Sequence, residues 1–187
     1  MLRINEIFYS LQGEGNRSGS ANIFIRLAGC NMKCKFCDTK HDNYDTYSLG
    51  QILARLQLYS CQNIVWTGGE PCKQLTTEIV QYFHRYGYYQ ALETNGTLSI
   101  PDGLNWVTVS PKNKLHKSIM KCDELKILYQ QDSDIRQFDI KADHLYLSPI
   151  FNGQDANYEV INNCINYIKD NPKWKLSLQL HKLINIA

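Results

Sequence analysis

The sequence predicts an α/β protein, an incomplete, open (β/α) barrel of mostly parallel strands. Short β-rich runs alternate with amphipathic stretches, as in a parallel sheet with crossover helices. The chain has 187 residues, fewer than the ~250 of a complete eight-fold barrel. Several connections are too short for a full helix, among them the one between Glu93 and Trp106, broken by Pro101-Asp102-Gly103. No internal repeat, low-complexity stretch or linker is visible, so one domain is expected over residues 1–187.

The elements follow in order. Residues 22–27, Asn-Ile-Phe-Ile-Arg-Leu, read as a strand leading into a cysteine-rich loop at 28–40. Ser48 and Gln51 form a capping-box pair, and Leu49, Ile52, Leu53 and Leu56 follow at helical spacing. Residues 63–67 read as a strand ending in Gly68-Gly69. A helix from Thr77 carries Ile79, Val80 and Phe83, and Gly87 suits its left-handed end. Strands are expected at 89–93, 106–110, 124–128 and 144–147. A helix at 157–169 carries Val160, Ile161, Cys164, Ile165 and Ile168 on one side, and a last strand is expected at 175–180. The connections at 114–121 and 130–137 look reduced.

The chemistry-bearing residues follow the strands. Cys30, Gly68-Gly69-Glu70, Thr94-Asn95, Ser110-Pro111-Lys112, Ser148-Pro149 and His181 each come after a β-rich run. The C-terminal ends of parallel barrel strands open onto one face, where active sites assemble. These scattered positions are therefore expected to share one mouth.

Composition excludes several classes. The net charge is +2 and 43% of residues are hydrophobic, as in an ordinary globular domain. No basic run suggests a nucleic-acid partner, and no apolar run reaches membrane-spanning length. The first residues lack the apolar core of a signal peptide. With seven cysteines, an odd number, the chain is expected in a reducing cytoplasm, where close cysteines bind metal more often than they pair. The glycosylation match at Asn95-Gly96-Thr97 has no use there.

Cys30, Cys34 and Cys37 form a C-x3-C-x2-C set. Thiolates bind iron–sulfur clusters and zinc. A structural zinc site would need a fourth ligand, for which Cys72 or His41 is available. A cubane held by three thiolates keeps one iron open to a small molecule. Gly29 permits an unusual backbone angle before Cys30, and Phe36 sets an apolar ring beside Cys37. Thr67-Gly68-Gly69-Glu70-Pro71 reads either as a strand-ending turn or as a close backbone approach to a ligand, with a carboxylate suited to an ammonium group. His84 reads as solvated. Cys61, Cys122 and Cys164 read as buried small hydrophobes. Tyr86, Tyr88 and Tyr89, among twelve tyrosines, read as packing or as a subunit interface.

The cysteine set followed by Gly68-Gly69-Glu70-Pro71 resembles the radical S-adenosylmethionine superfamily. Within it, three further segments are similar to the 7-carboxy-7-deazaguanine synthase family nearly end to end: Ser10-Leu11-Gln12-Gly13-Glu14-Gly15, Cys37-Asp38-Thr39, and the tail from Ser177 to Lys182. The resemblance implies a radical S-adenosylmethionine barrel and a 4Fe–4S cluster on Cys30, Cys34 and Cys37. It implies reductive cleavage of S-adenosylmethionine to a 5′-deoxyadenosyl radical, hydrogen abstraction from C6 of 6-carboxy-5,6,7,8-tetrahydropterin, ring contraction and loss of ammonia. It implies Phe36, Cys37, Asp38, Gly69, Ser110, Pro111, Lys112, Ser148 and Pro149 against S-adenosylmethionine, and Mg2+ on Thr39. Leu11, Gln12, Gly13, Glu14, Arg26, Thr67, His181 and the Ala187 carboxylate are implied at the substrate, with residues 177–187 closing the site. A flavodoxin or ferredoxin donor and a homodimer are implied as partners.

Arg26 has two readings. Its bare attraction to a substrate carboxylate at ~4 Å is about 4 kcal/mol at an intermediate dielectric, whereas a surface salt bridge is worth about 1 kcal/mol or less. The family pattern has Gln-Pro at Ser148-Pro149 and proline at Ala187. The same cysteine spacing occurs in glycyl-radical activases, an alternative reading that would need an open docking face instead of the Gln-Gly-Glu-Gly segment. A zinc or electron-transfer module is the non-enzymatic alternative.

Overall fold

The structure is a computed structural model that describes the whole chain except residues 38, 40, 113, 131–134, 136, 137, 152, 154 and 187. Among the described residues nine strands form one open sheet: β1 (Leu2–Leu11), β2 (Ala21–Leu27), β3 (Asp45–Tyr47), β4 (Asn63–Gly68), β5 (Tyr89–Thr94), β6 (Trp106–Val109), β7 (Lys121–Tyr129), β8 (Lys141–Pro149) and β9 (Trp174–Leu176). The spatial order is β3-β1-β2-β4-β5-β6-β7-β8-β9. From β2 to β9 every neighbouring pair is parallel, whereas β1 runs antiparallel to β2 and β3. The incomplete barrel of mostly parallel strands is what the sequence predicts.

The helices are α1 (Leu49–Leu56), α2 (Thr77–His84), α3 (Tyr158–Asp170) and α4 (Leu180–Leu183). The Ser48–Gln51 capping box is present, Thr76 caps α2 and Asn157 caps α3. Each cap side chain accepts an N–H that the first turn leaves without a partner. The chain turns after α2 at Gly87, whose φ is +80°.

Strand alternation sorts side chains between two faces. Ile23, Ile25, Leu27, Ile64, Trp66 and Leu92 point outward under α1 and α2 and form the main core. Leu125, Ile127 and Leu147 pack with Cys164 of α3 in a second cluster. The opposite, inward face begins with an apolar floor, where Phe24, Val65, Ala91 and Trp106 pair in register from β2 to β6. Phe8 stacks on Phe24 at 4.9 Å. Two residues further along the strands the inward positions turn polar: Arg26, Thr67, Glu93 and Thr108. The floor thus closes one end of the barrel and the polar layer opens toward the strand C-termini.

Several expectations are corrected. Residues 2–11 form β1, which the pattern did not suggest, because a register shift between Ile4 and Glu6 breaks the alternation. The last strand stops at Leu176 instead of 180. Ser177 Oγ accepts the Gly15 N–H at 2.9 Å, the Leu180 N–H donates to Gly13 O at 2.9 Å, and the tail then coils into α4. His84 is half-buried, with Nε2 against the carbonyl oxygen of Gly103, and so is not simply solvated. Tyr88 is buried and Arg17 lies over the Tyr89 ring at 4.8 Å, while Tyr86 is 48% exposed. Residues 114–120 contain no helix; most of 130–137 lies outside the described residues.

Candidate active site

Two adjoining hollows occupy the open end of the barrel, of about 960 and 930 Å3. They share Glu14, Thr67, Glu93 and Lys126 along their common wall, so they are halves of one mouth. The first is walled by the β1 end and the tail: Leu11, Gln12, Gly13, Glu14, Arg26, Thr67, Thr39 and His181 all line it. The second is walled by the cysteine loop and by the ends of β4 to β8: Cys30, Cys34, Phe36, Cys37, Gly69, Ser110, Lys112 and Pro149 line it. Pro111 and Ser148 are buried and line neither. Asp38 and Ala187 lie outside the described residues.

Close backbone approach builds the thiol half. Leu27 O accepts the Gly69 N–H at 3.0 Å, and Gly29 O accepts the Glu70 N–H at 3.0 Å. A methyl group on Gly69 would sit 2.1 Å from Gly29 O, so only glycine lets the β4 turn lock onto the root of the cysteine loop. The Met32 N–H lies 3.4 Å from Cys30 Sγ. Burial pushes the Cys34 thiol up, as do Cys37 and Cys30, whereas Lys112 pulls it down. Soft sulfur donors on one loop, with an N–H and a cation beside them, fit an iron–sulfur cluster. Among the described residues no three Cys, His, Asp or Glu side chains stand already gathered at metal-ion distance.

Glu70 corrects a sequence reading. Its side chain is fully buried and lines neither hollow. Oε1 accepts the Thr94 hydroxyl at 2.7 Å and the Cys72 N–H at 3.0 Å, and Oε2 accepts the Asn95 N–H at 2.8 Å. The carboxylate ties the end of β4 to the end of β5. Cys72, a candidate fourth zinc ligand, sits by Thr94 Oγ1 at 3.8 Å, and burial pushes its thiol up to about 12. That disfavours the thiolate a zinc ion needs. Burial likewise holds the Cys122 and Cys164 thiols at about 12, as expected of inert core residues.

Lys112 Nζ donates to Ser110 O at 3.0 Å and to Ser110 Oγ at 2.6 Å, so the Ser-x-Lys motif closes on itself. Burial, reinforced by Lys126, lowers Lys112 to about 8. The folded state therefore holds fewer protons than the unfolded chain between that value and the ordinary 10.5. Stability from this group rises with pH across that window, and its charge is a cost at pH 7. Lys112→Met is expected to melt no lower than wild type at pH 7; a lower melting temperature would contradict this.

Sequence reading missed Glu93, Glu124 and Lys126, which are ordinary polar strand residues in the one-dimensional pattern. Lys126 Nζ lies 2.6 Å from Glu14 Oε2 and 3.1 Å from Glu93 Oε2. Gln12 Nε2 donates to Glu93 Oε1 at 3.1 Å, and Gln179 Nε2 to Glu14 Oε1 at 3.0 Å. Burial alone would push Glu14 up, but Lys126 outweighs it and the carboxyl lies below its ordinary range. Burial holds Glu124 above that range while its Oε2 accepts the Asn16 N–H at 3.0 Å, anchoring the loop after β1 from beneath. Arg26 Nε is 3.2 Å from Glu6 Oε2, and its guanidinium lies over Phe8 at 5.4 Å. The Arg26–Glu6 ion pair stands on the wall of the first hollow.

Residues 24–111 match the model of the Radical SAM superfamily. A 7-carboxy-7-deazaguanine synthase from Bacteroides thetaiotaomicron is 40% identical over 187 residues, covering 100% of this chain and 99% of its own. One from Haemophilus influenzae is 39% identical over 99% of this chain and 94% of its own. The crystal structure of QueE from Escherichia coli superimposes with a TM-score of 0.77 at 28% identity, over 96% of this chain and 94% of that one.

Proposed function

Because the chain belongs to the 7-carboxy-7-deazaguanine synthase family of radical S-adenosylmethionine enzymes, we propose that its mouth converts 6-carboxy-5,6,7,8-tetrahydropterin to 7-carboxy-7-deazaguanine and ammonia. The observation that carries this reading is the shared wall: a thiol-lined hollow and a hollow lined by Gln12, Glu14 and Arg26 open into each other across Thr67, Glu93 and Lys126. The alternative as a glycyl-radical activase is not favoured, since the matching relatives are synthases along the whole chain.

Cys30, Cys34 and Cys37 would hold a 4Fe–4S cluster, with S-adenosylmethionine seated between Phe36, Gly69 and Lys112. Bound there, the pair supplies one-electron chemistry that removes a hydrogen atom from substrate. The chain's own residues bind, orient and exclude water. Gln12 offers a donor and an acceptor, and Glu14 and Glu93 offer acceptors, which suits the N–H-rich pyrimidine edge of a pterin. Arg26 already pairs with the Glu6 carboxylate at 3.2 Å, and a substrate carboxylate would take over that partner. A methyl group on Gly13 would lie 2.1 Å from His181 Nδ1, so the bare glycine seats the imidazole against the substrate wall. Thr39, half-buried in the same hollow, would offer its hydroxyl to Mg2+, a hard cation that keeps several waters.

Exposed Lys33 and Lys35 flank Cys34 and would meet an acidic flavodoxin- or ferredoxin-type donor. Exposed Leu183 and Ile184 on the tail suit a homodimer contact. A cytoplasmic location fits a site built from free thiols. The test is anaerobic reconstitution with iron and sulfide, then reaction with S-adenosylmethionine, reductant and the carboxypterin. One ammonia per deazaguanine is expected. A fully loaded enzyme that yields no deazaguanine, or product formed without iron, would overturn the proposal.

A further inference from the structure

Lys126 lies on the inward face of β7, and its side chain is 8% exposed. It bonds a carboxylate from the loop after β1, Glu14, and a carboxylate from the neighbouring barrel wall, Glu93. All three line both halves of the mouth. Gln12 and Gln179 complete a chain of contacts that runs from the tail, through Glu14, Lys126 and Glu93, back to the end of β1. We propose that Lys126 is a positioning residue for the reaction, holding Glu14 and Glu93 together as two ionised, oriented acceptors that read the N–H edge of the substrate. This rests on the functional reading above.

The physical case is one of like charges. Two carboxylates that share a low-dielectric cleft cannot both stay ionised without a cation, and one takes a proton. A protonated carboxyl presents O–H where the pterin edge also presents N–H, so one acceptor is lost. The charged groups facing Lys126 are Glu14 from the loop after β1, Glu93 from β5, Glu124 from β7 itself and Lys112 from the segment after β6; His181 on α4 faces Glu14, and Arg17 from the β1 loop faces Glu93 and Glu124. Glu124 is engaged with Asn16 and lines neither hollow. Lys112 is bonded to Ser110. Lys126 is bonded to both acceptors, and Lys182 of α4 also lines both hollows.

The test is calorimetric binding of the carboxypterin to cluster-loaded enzyme, without reductant, across about pH 6 to 7.5. Wild type is expected to bind with nearly constant affinity. Lys126→Gln is expected to bind at least ~10-fold more weakly at the acid end and to recover several-fold toward the alkaline end, with cluster content unchanged. Lys126→Arg, which keeps the charge, is expected to stay within ~5-fold of wild type with a flat profile. Wild-type affinity and a flat profile in Lys126→Gln would overturn the proposal. Should Lys126→Gln fail to fold, Lys126→Arg decides: a flat profile supports the role, and a pH-dependent loss overturns it. A loaded wild type that does not bind the carboxypterin would overturn the functional reading itself, a result distinct from a wild type and a Lys126→Gln variant that bind alike.

Discussion

Cys34→Ala is expected to lower deazaguanine formation at least ~10³-fold, about 4 kcal/mol in transition-state terms, with little change in folding. Cys34 is half-buried on a loop outside the three core clusters, so truncation would remove a proposed cluster ligand and almost no packing. Cys30 and Cys37 line the same hollow, but two thiols leave a second iron without a protein ligand. Anaerobic iron and sulfide content should fall in step with activity. The apo-protein should melt within ~2 °C of wild type, as expected when less than about 1 kcal/mol of stability is lost. A variant that keeps its product yield would show that the three thiols are not the cluster ligands.

Glu70→Ala is expected to do the reverse, striking the fold first. It would leave the Cys72 N–H, the Asn95 N–H and the Thr94 hydroxyl without their acceptor inside a closed turn. At the low end of about 1–3 kcal/mol for each of the three orphaned groups, the loss is about 3 kcal/mol. For a chain of this length that lowers the melting temperature by roughly 10 °C. Glu70→Gln keeps one oxygen acceptor and brings an N–H group toward other donors, so it should fall between alanine and wild type. Thermal unfolding of the apo-protein checks this. A change below about 2 °C in Glu70→Ala would mean that water replaces the carboxylate and that the turn does not depend on it.

The contrast between these two residues marks what was legible in one dimension. Cys30, Cys34 and Cys37 are close in sequence, and a loop that short keeps its three sulfurs on one wall of one hollow, although they do not stand gathered at metal-ion distance. Ser48 with Gln51 is local in the same sense, and the capping box forms as read. The Gly68-Gly69 turn reads as a strand end or as a close backbone approach to a ligand; in the structure what approaches Gly69 is the backbone of Gly29. Glu70 stands beside it and looks like a ligand, yet its partners lie across on β5. β1 escaped notice because its register shift scrambles the alternation by which strands are recognised.

Local order is enough to specify the parallel α/β class, the cysteine loop, the helix caps and the run of chemical residues behind successive strands, since each depends on neighbours within a few positions. Tertiary structure alone decided the polar heart of the mouth, where Lys126 meets Glu14 and Glu93. The reason is geometric. A period of two tells which residues share a face of a strand but not whether that face meets water or a closed interior. The curvature of the sheet turned these charged positions inward.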